Sequence, residues 1–371
     1  MAGKKEIRPK VLFITRCYPP AVGGMERFAK DLHDALESNS EQTTLSWGGS
    51  KKALIGIMPY FFIKSFWILA RKDIDIIHAQ DGVVSIFATI LGKVFKKPII
   101  VVIHGLDVTY ANGLYQYLIA HSLKRASEVV CISQAAKDEV LKRGINNRNV
   151  HVIPLGMTDE LFDNAIKRKE LEDIIPGYSE DNKILLSVGR LVKRKGIVWF
   201  IDSVLPEVIA KEPNALLVIC GQGPELPEIT KVVNSNGLSS HVVLLGSVSD
   251  QQLKILYNAA DCFVMPNISA PGDMEGFGRV LLEAALCEVP VVASDLEGIT
   301  EAISHNENGI LVEPENAQAH IKATVDFLKD SRSSMAFGKK ARKYTLQHYS
   351  WPLIAQRYLD QYTYLMQKDT K

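Results

Sequence analysis

Short β-branched runs recur along the whole chain, separated by helical stretches. In the first half they are VLFIT (11–15), TTLSW (43–47), DIIH (75–78), PIIVVIH (98–104), EVVCIS (128–133) and HVIPLG (151–156). In the second they are KILLSVG (183–189), ALLVICG (215–221), HVVLLG (241–246), CFVMP (262–266), PVVASD (290–295) and GILVE (309–313). Most are continuously apolar rather than alternating, the pattern of parallel strands covered by helices on both faces. Two such series, joined through the polar and charged residues 158–180, predict an α/β chain of two doubly wound, Rossmann-like domains facing a cleft. The expected domains are 1–165 and 166–350, which suits a length of 371 residues. The tail 351–371 begins WPLIAQRYLDQYTYLMQ, whose apolar spacing is helical but does not say which domain it covers.

Net charge is +1 overall, divided as +5 over residues 1–165 and −4 over 166–371. A dedicated nucleic-acid binder carries a far stronger basic excess, so no nucleic-acid partner is expected. The basic first half is either a solvated face or one that meets something anionic. Cys17, Cys131, Cys220, Cys262 and Cys287 are odd in number, far apart and include no CxxC. That argues against a disulfide framework or zinc site and fits a reducing cytoplasm. MAGKKEIRPKVLFIT lacks the apolar core of a signal peptide, so none is expected. The most apolar stretch, 53–70, is flanked by Lys51, Lys52, Arg71 and Lys72 and interrupted by Pro59 and Lys64. It is too short and too broken for a crossing, and reads as a helix either largely buried or lying at a membrane interface.

Four glycine-marked strand ends carry the chemistry. Pro19-Pro20-Ala21-Val22-Gly23-Gly24 follows the first strand, and its Gly pair would permit positive φ and close backbone approach. SVGRLVKRKG (187–196) sets Arg190 and Lys195 directly after a strand, where they could clamp a diphosphate. Gly221-Gln222-Gly223-Pro224 opens like a dinucleotide fingerprint, but Leu226 stands where the third Gly should be, so no NAD is expected. Glu275-Gly276-Phe277-Gly278 opens a helix expected over 279–287, whose N–H groups and dipole suit an anion.

Glu275 and Glu283 form E-x7-E, with Glu283 about 7.5 Å along the helix at 1.5 Å per residue. One extended ligand could then rest phosphates at the helix start with a carboxylate on either side. The bland alternative, a surface Glu283 in an i,i+4 pair, lacks a partner at Cys287. His104 ends a strand before Gly105 and is a cleft candidate, whereas His78, ending DIIH, reads as structural. Asp73-Ile74-Asp75 has the form of a DxD metal clasp but leads into a buried strand, and no metal is expected. Asn267-Ile268-Ser269 has the form of a glycosylation sequon, which in a cytoplasmic protein is chance.

Gly23-Gly24, SVGRLVKRKG, GQGP and EGFGRVLLEA (275–284), in that order, resemble the motif set of the retaining glycosyltransferases of family four, the glycosyl transferases group one, which have the GT-B fold. HG (104–105), VIPLG (152–156), LGSVSDQQL (245–253) and NGILV (308–312) extend the resemblance over nearly the whole chain. Two departures affect turns: Glu288 replaces the usual Gly before the PVV strand, and Thr300 the usual Pro before Glu301.

The resemblance implies a UDP- or GDP-sugar donor and a hexose moved with retention to a glycan or lipid-linked acceptor, in cell-surface polysaccharide or glycolipid synthesis. Arg190, Lys195 and the backbone of Gly23-Gly24 would bind the diphosphate. Glu275 with Gly276, Phe277 and Gly278 would hold the sugar, Glu283 the ribose, and Gly221, Gly223 and Val248 would border the base. His104 would lie beside the reacting carbon. Catalysis would then be electrostatic, with no cofactor and no metal, the cations stabilising charge on the departing oxygen. The implied location is cytoplasmic, including the inner face of the membrane, with residues 351–371 crossing back to the first domain. Competing readings are a GT-B phosphorylase, a sugar-nucleotide epimerase, or a relative that only binds.

Overall fold

The computed structural model describes residues 8–368 apart from 22, 50–52 and 111. Residues 1–7, Val22 of the glycine loop, and Lys51 and Lys52 ahead of the apolar stretch lie outside the described residues. The chain divides into two units, Met1–Gly156 with Tyr349–Lys371, and Met157–His348.

The first unit runs β1 (Lys10–Thr15), α1 (Gly24–Glu37), β2 (Glu41–Ser46), α2 (Leu54–Arg71), β3 (Ile76–Ala79), α3 (Gly82–Phe95), β4 (Ile99–Ile103), α4 (Leu106–Thr109), α5 (Gly113–Leu123), β5 (Glu128–Cys131), α6 (Gln134–Leu141) and β6 (Val150–Val152). The second runs β7 (Lys183–Val188), α7 (Ile197–Ser203), α8 (Leu205–Lys211), β8 (Ala215–Cys220), α9 (Leu226–Ser235), β9 (Val242–Gly246), α10 (Asp250–Ala259), β10 (Cys262–Met265), α11 (Arg279–Leu286), β11 (Val291–Ser294), α12 (Ile299–Ala302), β12 (Ile310–Val312), α13 (Ala317–Lys329) and α14 (Ser331–Tyr349). A last helix, α15 (Trp351–Lys368), packs on α1 and β3 of the first unit.

Each unit holds a six-stranded sheet, ordered β2-β1-β3-β4-β5-β6 in the first and β12-β11-β10-β7-β8-β9 in the second. The strand pairs are parallel, as continuous apolar runs predict. Leu12, Ile14, Ile77, Val101 and Ile103 build one core with residues of α2, α3 and α5; Leu185, Leu217, Ile219 and Val264 build the other. All five cysteines are buried thiols outside any disulfide. The order reverses between β1 and β3 in the first sheet, and between β7 and β10 in the second. Neighbouring loops diverge at such points and leave a crevice at the carboxyl ends of the strands.

The division falls at 156/157, ahead of the expected 165/166. The intervening residues are bonded into the second unit: Asp163 N donates to Asn258 Oδ1 at 2.9 Å, and Arg342 pairs with Asp159 through both guanidinium nitrogens at 2.6 Å. His78 proves to be core. Its Nδ1 meets the Tyr362 hydroxyl of α15 at 2.6 Å and its Nε2 meets Gln80 Oε1 at 2.8 Å, while complete burial pushes it down to about 4. Asp73 and Asp75 both tie to Lys10, pinning the start of β3 to β1. The apolar stretch forms α2, with one face buried through Phe61, Ile68 and Leu69 and the other exposed.

Candidate active site

In the second unit the crevice between β7 and β10 receives the loops that follow both strands. After β7, residues 193–195 make a single 3-10 turn that ends at Gly196, φ 64. A Cβ at Gly196 would stand 1.9 Å from the Pro266 carbonyl, so only glycine lets the two loops close together. The turn aims Lys195 inward, where its Nζ donates to Glu275 Oε2 at 2.5 Å. Arg194 donates to the same oxygen and, through Nε, to Asp273 Oδ1 at 3.0 Å. Asn267, 1% exposed, adds a donation from Nδ2 to Glu275 at 3.2 Å, and its Oδ1 has no partner. Glu297 Oε2 accepts from the Glu275 backbone N–H at 2.5 Å.

Burial alone would raise the Glu275 carboxyl, but Lys195 and Arg194 outweigh it and hold the group below its ordinary range. Burial together with the like charge of Arg194 outweighs Glu275 at Lys195, whose ammonium is lowered. The Glu297 carboxyl is raised by burial and by the Glu275 charge.

Helix α11 begins after Gly278, φ 86, and buries Glu283. Glu283 Oε2 accepts from the Tyr257 hydroxyl at 3.0 Å, and Oε1 accepts from Arg279 Nε at 3.1 Å. The expectation that Glu283 has no i,i+4 partner is therefore wrong. Its partner is one turn earlier, at Arg279, rather than one turn later at Cys287, because a helix face extends both ways from any residue. The surface reading fails for a different reason, which is burial at 4% exposure.

In the first unit a second polar cluster occupies the carboxyl ends of β1, β3 and β4. Asp81 caps α3 by accepting from the Val83 and Val84 N–H groups, and Arg16 Nε lies 3.1 Å from its other oxygen. His104 donates its backbone N–H to Asp107 Oδ1 at 3.0 Å, and its ring Nε2 stands 3.0 Å from the Gln80 carbonyl. A carbonyl only accepts, so Nε2 carries a proton. Phe28 packs on the ring at 5.4 Å, edge to face. Burial, reinforced by the Asp81 charge, raises the Asp107 carboxyl.

The glycosyl transferases group 1 family matches residues 169–344, and glycosyltransferase family 4 matches residues 22–161. Together the two matches span most of both units. The chain belongs to the family-four glycosyltransferases of the GT-B type. This glycosyltransferase is 28% identical over 395 residues to an uncharacterized glycosyltransferase of Methanocaldococcus jannaschii, covering 96% of this chain and 99% of that one. Over 173 residues it is 34% identical to the GDP-mannose-dependent alpha-(1-6)-phosphatidylinositol monomannoside mannosyltransferase of Mycolicibacterium smegmatis, covering 46% of this chain and 45% of the other. Its fold matches the crystal structure of Anabaena HepE in complex with UDP-glucose, with a TM-score of 0.77 and 19% identity over 95% of this chain and 99% of HepE.

Within the second unit the glycosyltransferase brings Lys195 and Glu275 into contact. Arg190 does not join them: it is exposed, although it lines one pocket with Gly189, Lys195 and Met265. Gly276 and Phe277 lead into Gly278, where α11 begins, and Phe277 is buried. Gly221, Gly223 and Val248 follow β8 and β9, where the Gly221 N–H donates to the Gly246 carbonyl at 2.7 Å. Gly23 and Gly24 do not need positive φ. Gly23 is extended at φ 166 and Gly24 is the first residue of α1, conformations open to any residue. Glu288, in place of the family's glycine, sits in the left-handed region at φ 61. Arg194, Asn267, Glu297 and the Arg16–Asp81 pair were not foreseen as site residues. Asn267, which the sequence marks only as part of a chance sequon, is buried against Glu275.

Proposed function

We propose that this glycosyltransferase moves a hexose-type sugar from a UDP- or GDP-linked donor to a glycan or lipid-linked acceptor, with retention at the anomeric carbon, in cell-surface polysaccharide or glycolipid synthesis. The donor class is supported by the HepE complex with UDP-glucose and by the mycobacterial relative named for GDP-mannose. One observation carries the reading: two cations and a carboxylate meet, nearly sealed from water, at the β7/β10 crevice, beside an Asn267 oxygen with no partner.

Lys195 and Arg190 take the donor diphosphate. Glu275 and the N–H groups of Gly276, Phe277 and Gly278 hold the sugar. Glu283 holds the ribose, and Gly221, Gly223 and Val248 border the base. As the anomeric C–O bond breaks, its electrons pass to the bridging oxygen, where fixed cations and the start of α11 stabilise the new charge. Such placement contributes on the order of 3 kcal/mol per donor group. The acceptor hydroxyl attacks from the same face and the departing phosphate takes its proton. Two cations make a divalent metal unnecessary.

A mass-spectrometric screen of UDP- and GDP-sugars, run with and without EDTA, tests this. The expected result is one donor class cleaved to nucleoside diphosphate at a rate indifferent to the chelator, with proton NMR of the transfer product showing the donor's anomeric configuration. A donor neither bound nor consumed in any arm contradicts the reading.

A further inference from the structure

Helices α2, α3 and α5 form one continuous outer layer of the first unit, α2 against α3 and α3 against α5. None of the three contains an Asp or Glu. Along α2, Tyr60, Ile63 and Trp67 recur at helical spacing and are 52%, 57% and 52% exposed. Lys64 and Arg71 border that stripe, and the Arg71 guanidinium lies 4.6 Å over the Trp67 ring. On α5, Leu114, Tyr117 and Leu118 repeat the pattern. Between α3 and α5 runs a groove of about 590 Å³ with Ile86, Ile90, Val94 and Leu118 in its wall and Lys93 and Arg125 among its other lining residues.

Exposed apolar side chains on a soluble monomer are normally scattered. Here eleven of the fifteen large ones left exposed among the described residues fall between Tyr60 and Leu118. Aromatic rings beside basic side chains, with no carboxylate in the layer, match the interface of a bilayer carrying anionic head groups. A protein partner would gain little from so one-sided a charge pattern, whereas lipid phosphates neutralise it directly. No helix among the described residues is long and apolar enough to cross a membrane, so the contact is peripheral.

We infer that the α2–α3–α5 layer docks on an anionic lipid bilayer. Trp67, Tyr60 and Ile63 enter the head-group region, Lys64, Arg71, Lys93 and Arg125 meet phosphates, and the groove receives a lipid chain. The inference is independent of the proposed sugar transfer, because the layer lies outside the residues assigned to it.

Flotation of the full-length protein tests it, using vesicles of phosphatidylcholine alone and of equal parts phosphatidylcholine and phosphatidylglycerol, without donor. The protein is expected to float only with the anionic vesicles, and less as salt rises. The Ile63→Ser/Trp67→Ser double variant is expected to lose flotation. Lys93→Glu/Arg125→Glu should weaken binding by about five-fold or more per charge removed. Both variants should keep the thermal unfolding of the wild type, since the side chains are exposed. Three results would overturn the inference: wild type that floats with neither vesicle, variants that float as it does, or a solution dimer that these substitutions dissociate, which would make a second copy the occupant.

Discussion

Lys195 Nζ and Glu275 Oε2 meet at 2.5 Å with 12% and 11% of their side chains open to solvent. Burying two such charges is costly, and the pair persists because Arg194 and Asn267 donate to the same carboxylate oxygen. If Lys195 takes the diphosphate as proposed, its ammonium is already desolvated and held in place.

Replacing that ammonium should separate it from its neighbours in sequence. Lys195→Ala is expected to weaken nucleoside diphosphate binding at least ten-fold and lower turnover by about two orders of magnitude. Lys193→Ala, at an exposed position, should change neither more than about two-fold. Calorimetric titration of both variants decides it, and equal affinity for wild type and Lys195→Ala would remove Lys195 from the diphosphate site.

Glu283 touches Tyr257 and Arg279 but neither Lys195 nor Glu275 in the contacts described above. If it holds the ribose, its contact is common to ground and transition states. Glu283→Gln should then raise KM for the donor about ten-fold and weaken nucleotide binding in proportion, leaving kcat nearly unchanged. Steady-state kinetics with the donor varied would show this; a fall in kcat alone would place Glu283 at the reacting end instead.

The strands were legible because a parallel strand covered on both faces must be apolar throughout, so VLFIT, KILLSVG and ALLVICG announce themselves. That Lys195 and Glu275 share one crevice was legible, since both follow strands that flank the switch point; their ion pair was not. Which basic residue turns inward was not. It depends on the 3-10 turn at 193–195, and three adjacent basic side chains look alike until that turn assigns Lys193 outward and Arg194 and Lys195 inward. Asn267 was hidden for a similar reason: it reaches Glu275 across an irregular loop with no period to read. The unit boundary was misplaced because polar composition marks 158–180 as a linker, whereas Asp159 and Asp163 use their polarity to bond to the second unit.

Acid should destabilise the fold through two histidines. Burial pushes His78 and His320 down to about 4, against about 6.5 in the unfolded chain. Below pH 6.5 the unfolded chain takes up protons that the folded one refuses, so stability falls as pH drops toward 4. His320, whose ring nitrogens have no partners, packs edge-on to Trp199 at 5.3 Å. Between pH 7 and 5 the His320→Leu variant should lose roughly 2 kcal/mol less than wild type in denaturant titrations. Equal losses would contradict a neutral buried His320.

Gly221 has φ 142, and a Cβ there would lie 1.8 Å from the Gly189 carbonyl. Gly237 has φ 66 with open space around it. Gly237→Ala should cost only the backbone strain of about 1–2 kcal/mol. Gly221→Ala must also push the β7 and β8 loops apart, and should lower the unfolding temperature several times as far. Comparable shifts in calorimetry would mean that the loops tolerate separation.

Glu275 is proposed to act on the transferred sugar. Donor turnover by Glu275→Gln, measured alongside titration with the free nucleoside diphosphate, tests it most directly. The variant's kcat should be lower by about two orders of magnitude, with nucleotide affinity within a few-fold of wild type, because the contact is made to the reacting end of the donor. A variant that keeps full kcat would contradict it.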